Sequence, residues 1–222
     1  MMLRLDERLR AILELAPPCR CFADIGCDHG RLGAQMLLSQ RAQRVWFTDI
    51  SAPSIAKARR LIGQLGLSDR AVFRVGDGAR ALGEAPEAAA IAGMGAATIA
   101  DILRAGADRL GGARLILQPN LDESELREFL QRAGYAIQRE RVVRAAGRWY
   151  VLLLVCRGEM RLSEAERIAG TASMREDAQA YEGYARFRIR VAKKALDGAR
   201  NGRDGREETL ARALAIWEEA IR

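Results

Sequence analysis

The chain has 222 residues, of which 49% are hydrophobic and 29% charged, and its formal net charge is +7. This balance predicts one globular domain with a smaller addition, and it excludes a disordered polycation or a low-complexity chain. No apolar run approaches the roughly 20 residues of a membrane-spanning helix, and acidic residues interrupt the N-terminal segment where a signal peptide would be apolar, so we expect a cytoplasmic protein without a membrane partner.

The first predicted element is an amphipathic helix. Apolar residues recur at helical spacing from Leu5 to Ala16, with arginine and glutamate between them. Pro17 and Pro18 follow directly, and the helix should end before them because proline cannot continue the hydrogen-bond pattern.

Five short apolar runs come next, each of strand length and each followed by a polar or glycine turn. They are Cys21–Ile25, Arg44–Ile50, Ala71–Val75, Ala88–Ala92 and Ala113–Gln118. Helical patterns lie between them at about 29–40, 53–66, 96–106 and 122–133. This alternation predicts an open α/β sheet of buried parallel strands with right-handed crossovers.

After Gly134 the alternation stops. Two extended segments, Tyr135–Arg144 and Arg148–Arg157, are separated by three residues, too few for a crossover helix, so they should pair as an antiparallel hairpin. Five parallel strands closed by such a hairpin resemble the class I (Rossmann-like) fold of methyltransferases that use S-adenosylmethionine. Dinucleotide-binding Rossmann domains have a sixth parallel strand there instead.

From about Arg157 the composition becomes rich in alanine and charge, with breaks near Gly170 and at 201–205. We therefore divide the chain into a methyltransferase domain (1–156) and an α-helical hairpin extension (157–222). One face of the last segment carries Leu210, Leu214, Trp217 and Ile221. The aromatic residues Tyr181, Tyr184 and Phe187 stand among cations, which fits either RNA stacking or a buried two-helix hairpin.

The most informative motif is DIGCDHG, Asp24 to Gly30, which ends the first strand and opens a helix, where doubly wound folds bind nucleotide-like ligands. Asp24, Gly26 and Gly30 match the acidic, glycine-rich first loop of methyltransferases, whereas Asp28 occupies the middle glycine position. The two carboxylates would repel a pyrophosphate but tolerate the sulfonium and amino group of S-adenosylmethionine. The alternative is an ordinary strand-to-helix turn with polar caps.

Carboxylates also follow the next two strands. Asp49, beside Ile50, is placed to accept hydrogen bonds from both ribose hydroxyls of an adenosyl group, or it merely caps the next helix. In the GDG motif Asp77, followed by Gly78, could accept a hydrogen bond from an adenine amino group, or it is a simple turn residue.

The fourth and fifth strands end in AGMGA and LQPN, at the edge where ligands bind in such folds. Gly93 and Gly95 could leave room for a planar base, and Gln118 and Asn120 offer amide groups to its edge. Two tight loops and a proline stop explain the same residues equally well.

As a set, DIGCDHG, GDG, IAGMGA and LILQPN closely resemble the bacterial TrmK family, the tRNA methyltransferases that make 1-methyladenosine at position 22 in the D-arm. The resemblance covers roughly residues 3–156. Ala96 follows GMG at a position where the family would have a second consecutive glycine. The C-terminal extension resembles that of the family in helical character only.

The resemblance implies S-adenosylmethionine as the cofactor, S-adenosylhomocysteine as the product, tRNA as the partner and no metal. It also implies a role for each matching residue. Asp24, Gly26, Asp28 and Gly30 would line the methionine side, Asp49 and Ile50 the ribose, Asp77 and Gly78 the adenine, and Gly93, Met94 and Gly95 the reacting centre.

For catalysis we expect positioning to dominate, because N1 of adenine already holds an in-plane lone pair and needs no general base. Asp28 is the candidate carboxylate for stabilising the positive charge that develops on the base, and Asn120 the candidate base-edge contact. His29 either contacts the base or has a local structural role. Four basic residues lie near the N-terminal helix and the first loop, and we expect some of them to hold phosphates: Arg4, Arg8, Arg10 and Arg31. A solvated helix face explains the first three equally well.

Three other functions compete with this one. A class I methyltransferase acting on another RNA, on DNA or on a small molecule would keep the donor-site residues. A non-catalytic RNA-binding module is supported only by the basic excess and the helical extension. An NAD-dependent oxidoreductase is disfavoured by Asp28 and the closing hairpin.

A zinc site is improbable because the four cysteines form no C-x-x-C pair and His29 is the only histidine. No obligate protein partner is evident.

Overall fold

A computed structural model describes residues 3–202 and 205–222. The strands are β1 Cys19–Ile25, β2 Ala42–Asp49, β3 Ala71–Val75, β4 Ala88–Met94, β5 Arg114–Pro119, β6 Tyr135–Ala145 and β7 Arg148–Arg157. They form one seven-stranded sheet with the order β3-β2-β1-β4-β5-β7-β6. The first five strands are parallel, and β6 and β7 form an antiparallel hairpin that joins the sheet where β7 pairs with β5. The predicted class I arrangement is confirmed.

Helices cover both faces of the sheet. They are α1 Glu7–Leu15, α2 Arg31–Leu38, α3 Ala52–Gln64, α4 Ala96–Ala105, α5 Ala107–Leu110, α6 Glu123–Arg132, α7 Glu164–Ala169, α8 Ala178–Gly202 and α9 Glu207–Glu219. Short 3₁₀ turns lie at Ser68–Arg70, Gly78–Ala81 and Ala172–Arg175. Within the two described ranges, no helix is long and apolar enough to cross a membrane.

The predicted elements differ from the observed ones mainly at their ends. The first helix begins only at Glu7, because the Asp6 side chain accepts a hydrogen bond from the Leu9 amide and caps it. Strand β1 starts at Cys19, two residues earlier than predicted. Of the predicted break at 201–205, residues 203 and 204 lie outside the described residues, and α8 continues to Gly202.

Alternating residues of the strands divide between two apolar layers, as a pleated sheet requires. In β1, Phe22 packs into the layer formed with α1, α2 and α3, whereas Ala23 and Ile25 pack into the layer formed with α4 and α6. Because both faces are covered, the strands read as continuous apolar runs rather than alternating ones.

In the C-terminal extension α8 and α9 pack against each other as a helical hairpin, and this hairpin also packs onto the second of these layers. Tyr181, Tyr184 and Trp217 are buried in the same core as β6 and β7, with the Tyr184 and Trp217 ring centroids 5.5 Å apart. Stacking of Tyr181 and Tyr184 on RNA is therefore wrong, because their rings are 4% and 2% exposed. The division of the chain after residue 156 stays a prediction; in space the extension shares the core of the α/β part.

A buried ion pair connects this extension to the sheet. Nε of Arg127 on α6 lies 2.7 Å from Oε1 of Glu140 on β6, and both side chains are at most 1% exposed. Arg127 also donates to the carbonyl of Arg167 at 3.0 Å, and Glu140 accepts the amide of Thr171 at 2.6 Å. Because burial removes water from both charges, these extra hydrogen bonds are what make the pair tolerable.

We expect Arg127→Met to destabilise the protein by about 3–5 kcal/mol, because it leaves the Glu140 carboxylate buried and unpaired. The measurement is the free energy of unfolding in urea. Arg186→Met, which breaks the exposed pair with Glu182 on α8, is the control and should change stability by less than about 1 kcal/mol. Adding Glu140→Gln to Arg127→Met should restore part of the loss; equal effects of Arg127→Met and the control would contradict the assigned role.

Candidate ligand-binding cleft

A cleft of about 1060 Å³ opens at the carboxyl edge of the parallel strands. It is formed by the loops that follow β1, β2, β3 and β4, together with one face of α4 and part of α1. Most of the predicted site residues meet there. Those that line it are Arg8, Asp24, Gly26, Asp28, His29, Arg31, Asp49, Ile50, Asp77, Gly78, Gly93 and Met94.

Tight backbone geometry shapes the first loop. Gly26 and Gly30 have φ of +71° and +68°, and Asp28 has φ of +47°, in the left-handed region that an aspartate tolerates better than most residues. A Cβ on Gly26 would lie 2.1 Å from the terminal methyl carbon of Met94, the flexible end of a side chain that could move aside, so the positive φ is the stronger reason for glycine at this position. Gly30 does not line the cleft but caps α2.

The Asp24 carboxylate lies at the floor of this loop. Its Oδ2 accepts the Gly33 amide of α2 at 2.9 Å, and the residue is 6% exposed. Burial raises the pKa of Asp24 to about 7. The nearby negative charges of Asp49 and Asp28 also act to raise this pKa, whereas the hydrogen bond from Gly33 acts to lower it. Near neutral pH the carboxyl is therefore poised between its two protonation states.

Asp49, at the end of β2, forms hydrogen bonds to the loop after β1 and to the loop after β2. Its Oδ2 accepts the backbone amide of Asp28 at 3.0 Å, and its Oδ1 accepts that of Ser51 at 2.8 Å. Each carboxylate oxygen can accept a further hydrogen bond, so Asp49 keeps capacity for a ligand. Ile50, the next residue, is 78% exposed at the cleft and offers an apolar surface.

The far end of the cleft combines an exposed carboxylate with apolar surface. Asp77 precedes the 3₁₀ turn at Gly78–Ala81, and its Oδ2 lies 3.6 Å from Nη1 of Arg80. A Cβ on Gly78 would lie 3.0 Å from Cγ1 of Ile102, so the turn packs closely against α4. An exposed carboxylate beside apolar surface is suited to a flat, apolar ring with a polar edge.

His29 and Arg31 lie at the rim of the first loop. Nδ1 of His29 is 2.6 Å from Oδ2 of Asp28, and both side chains are exposed. Arg31 donates through Nη2 to the Arg4 carbonyl, which fixes the segment before α1. Arg4 itself does not line the cleft.

The structure places Gln118 differently from the sequence expectation. Its side chain is completely buried: Oε1 accepts from Arg8 at 2.7 Å, and Nε2 donates to the Pro119 carbonyl at 2.7 Å and to Oδ1 of Asn120 at 3.2 Å. A buried amide with its hydrogen bonds so occupied cannot present an edge to a base, so we replace that role by one in holding Arg8.

Asn120 is exposed beside the cleft but does not line it. Its Nδ2 donates to the Gly93 carbonyl at 2.8 Å and its backbone amide to the Met94 carbonyl at 2.8 Å. Gly95 is likewise exposed outside the cleft, at the start of α4. Both residues lie beside Gly93, which lines the cleft.

Sequence reasoning missed the contribution of α4 and of two arginines. Thr98, Asp101 and Ala105 face the cleft from one side of the helix, and Arg80 and Arg104 line it as well. The spacing of three and four residues was a usable signal for a shared helical face, but it did not show which face the sheet leaves open.

The chemistry of the lining suits a cationic ligand that carries hydroxyl groups. Asp24 and Asp28 flank the start of α2, where a pyrophosphate would otherwise bind, and Asp49 offers a hydrogen-bond acceptor nearby. No group of three histidine, cysteine, aspartate or glutamate side chains within residues 3–202 and 205–222 could hold a metal ion.

Comparisons with known proteins agree with this geometry. Residues 5–153 match the family model described as Methyltransferase domain. The chain is 38% identical over 160 residues to the tRNA (adenine(22)-N(1))-methyltransferase of Bacillus subtilis (strain 168), and the alignment covers 71% of this chain and 67% of that protein.

Solved structures match over almost the full length. The TrmK methyltransferase of B. subtilis, which is described as acting at adenine 22 of tRNA, has a TM-score of 0.89 at 28% identity and covers 99% of this chain and 100% of its own. A putative tRNA methyltransferase from Streptococcus pneumoniae, in complex with S-adenosyl-L-methionine, has a TM-score of 0.86 at 24% identity, with 100% of both chains covered. The latter similarity concerns the fold.

Proposed function

Because the chain belongs to the family of tRNA (adenine(22)-N(1))-methyltransferases, we propose that it transfers a methyl group from S-adenosylmethionine to N1 of adenine 22 in the D-arm of tRNA. The observation that carries this proposal is the cleft, in which carboxylates follow three successive parallel strands around a glycine loop. We further propose that it acts in the cytoplasm, where tRNA is available.

The cleft residues fit the proposed cofactor one by one. S-adenosylmethionine supplies an electrophilic methyl group on a cationic sulfonium. Asp24 and Asp28 would hold its amino group, Asp49 its ribose hydroxyls, and Asp77 with Gly78 its adenine edge. Gly26 has no side chain and lets Met94 pack against the first loop, and Ile50 would cover an apolar face of the bound molecule.

The target base should need no deprotonation, because N1 of adenine holds a free lone pair in the plane of the ring. The protein's contribution is then to orient the base and to stabilise the positive charge that it gains. Asp28 is suited to this because its carboxylate is 68% exposed towards the opening and is oriented by His29. Asn120 stands beside Gly93 and would contact the base edge.

A nucleotide in the D-arm must leave its stack to reach the cleft, so backbone contacts should provide much of the tRNA affinity. Arg8 and Arg31 at the rim are the cations best placed for such contacts. Arg4 supports Arg31 through its carbonyl and is a secondary candidate.

The proposal is tested by incubating the chain with labelled S-adenosylmethionine and unmodified tRNA, followed by nuclease digestion and nucleoside analysis. We expect 1-methyladenosine, and a tRNA with guanosine at position 22 should accept no label. Donor binding without tRNA methylation would support a methyltransferase with another substrate. Failure to bind the donor would favour a non-catalytic RNA-binding module.

Asp28→Asn should lower kcat by about 10-fold to 100-fold, because the neutral amide cannot balance the charge that develops on the base. The donor Kd should rise as well, because Asp28 is also proposed to hold the amino group of the donor, so kcat is measured at saturating donor. Asp108→Asn, which alters an exposed aspartate of α5 outside the cleft, is the matched control and should be indistinguishable from the parent. Full kcat in Asp28→Asn with normal donor binding would disprove the charge-stabilising role.

The raised pKa of Asp24 predicts that donor affinity depends on pH. Below about 7 the carboxyl of the free protein is protonated, and a cationic ligand must displace that proton, so affinity should fall by up to about tenfold per pH unit. Above that pH the carboxyl of Asp24 is already ionised, so donor affinity no longer changes with pH through this group. Isothermal titration calorimetry between pH 5.5 and 8.5 measures it, and Asp24→Asn, measured in parallel, corrects for titration of the donor itself. An identical pH dependence in both proteins would exclude Asp24 as the responsible group.

A further inference from the structure

Arg8 lines the end of the cleft next to Gly93, where other side chains hold its guanidinium in place. Its Nη1 lies 2.7 Å from Oε1 of Gln118, and its guanidinium carbon lies 5.6 Å from the centre of the Tyr150 ring. A Cβ built on Gly93 would lie 3.6 Å from the same Nη1. The guanidinium of α1 is thus fixed next to the end of β4, where the cleft opens.

Gln118 is oriented to serve as an acceptor for this guanidinium. Its Nε2 is fixed by donation to the Pro119 carbonyl and to Asn120, so its oxygen must face Arg8. The side chain is fully buried at the end of β5, where it has little freedom to move. The same hydrogen-bonded chain continues from Asn120 to the Gly93 carbonyl, linking Arg8 to the loop beside the reacting centre.

The charge of Arg8 is held but not neutralised. Among the described residues no carboxylate lies within ion-pair distance of it, whereas other arginines such as Arg141 and Arg188 have such partners. Gln118 and Tyr150 are neutral, so they fix the guanidinium without using its charge. A guanidinium has five N–H donors in a planar fork, which leaves several for a bidentate contact with an anion.

We propose that Arg8 binds the phosphate of the nucleotide whose base enters the cleft, and that Gln118 and Tyr150 are the positioning residues that hold it for this contact. The inference rests on the proposed function, since it takes tRNA as the substrate. A guanidinium beside the reacting centre would oppose positive charge on the base, which favours the phosphate over the base as its ligand. Prior fixation lowers the entropic cost of forming the contact.

The test is tRNA binding at several salt concentrations, combined with a double-mutant cycle. Arg8→Met should weaken tRNA binding by about tenfold and reduce the slope of log K against log salt by about one, because one phosphate contact is lost. Gln118→Met should weaken binding in the Arg8 protein but add nothing in Arg8→Met, since its effect runs through Arg8. Donor Kd should stay unchanged in all variants. Arg10→Met, an exposed cation two residues along α1, is the control and should have a smaller effect.

A second double-mutant cycle combines Arg8→Met with Tyr150→Leu and tests the contact on the other side of the guanidinium. The proposal therefore remains testable if Gln118→Met folds poorly. Additive effects of Arg8→Met with both partners, or an unchanged salt slope in Arg8→Met, would overturn the proposal. Absence of methyl transfer by the parent protein, with coupling of Arg8 and Gln118 in tRNA binding intact, would instead count against the proposed function alone.

Discussion

The cleft exists because β1 to β5 run parallel, so that their carboxyl ends reach the same edge of the sheet. The strand order reverses between β1 and β4, and at such a switch point the loops diverge to opposite sides and leave a crevice. Gly26 and the Met94 side chain meet across that point, where a Cβ on residue 26 would displace the end of Met94. The position of nearly every functional group follows from this one topological constraint.

The other side of the molecule depends on a contact that has no part in the cleft. One guanidinium, that of Arg127, joins α6, β6 and the segment that ends α7, while Glu140 receives the amide that begins the next turn. Tyr184 and Trp217 then complete the apolar layer over the hairpin. The helical extension therefore packs on the methyltransferase fold, and the rings of Tyr181, Tyr184 and Trp217 belong to the core, whereas Phe187 is 37% exposed.

Charge is divided along the cleft in a way that matches the two proposed ligands. Carboxylates of Asp24, Asp28 and Asp49 surround the first loop, whereas Arg8 and Arg31 stand at the rim that faces α1. If acidic and basic side chains were mixed evenly along the cleft, the cationic donor and the polyanionic RNA would each meet charges of their own sign. Because close charges interact more strongly than distant, solvent-screened ones, each ligand would interact mainly with the charged groups nearest to it.

The sequence by itself determined the elements, the closing hairpin and the donor loop, because these depend on local periodicity and on residues a few positions apart. DIGCDHG, Asp49 and Asp77 were recognisable because each directly follows an apolar run. Only the tertiary structure decided that Gln118 turns inward to hold Arg8, 110 residues away, and that Arg127 pairs with Glu140. A side chain in a strand or helix can face solvent, ligand or core with the same local sequence, and the choice depends on what distant segments pack against it.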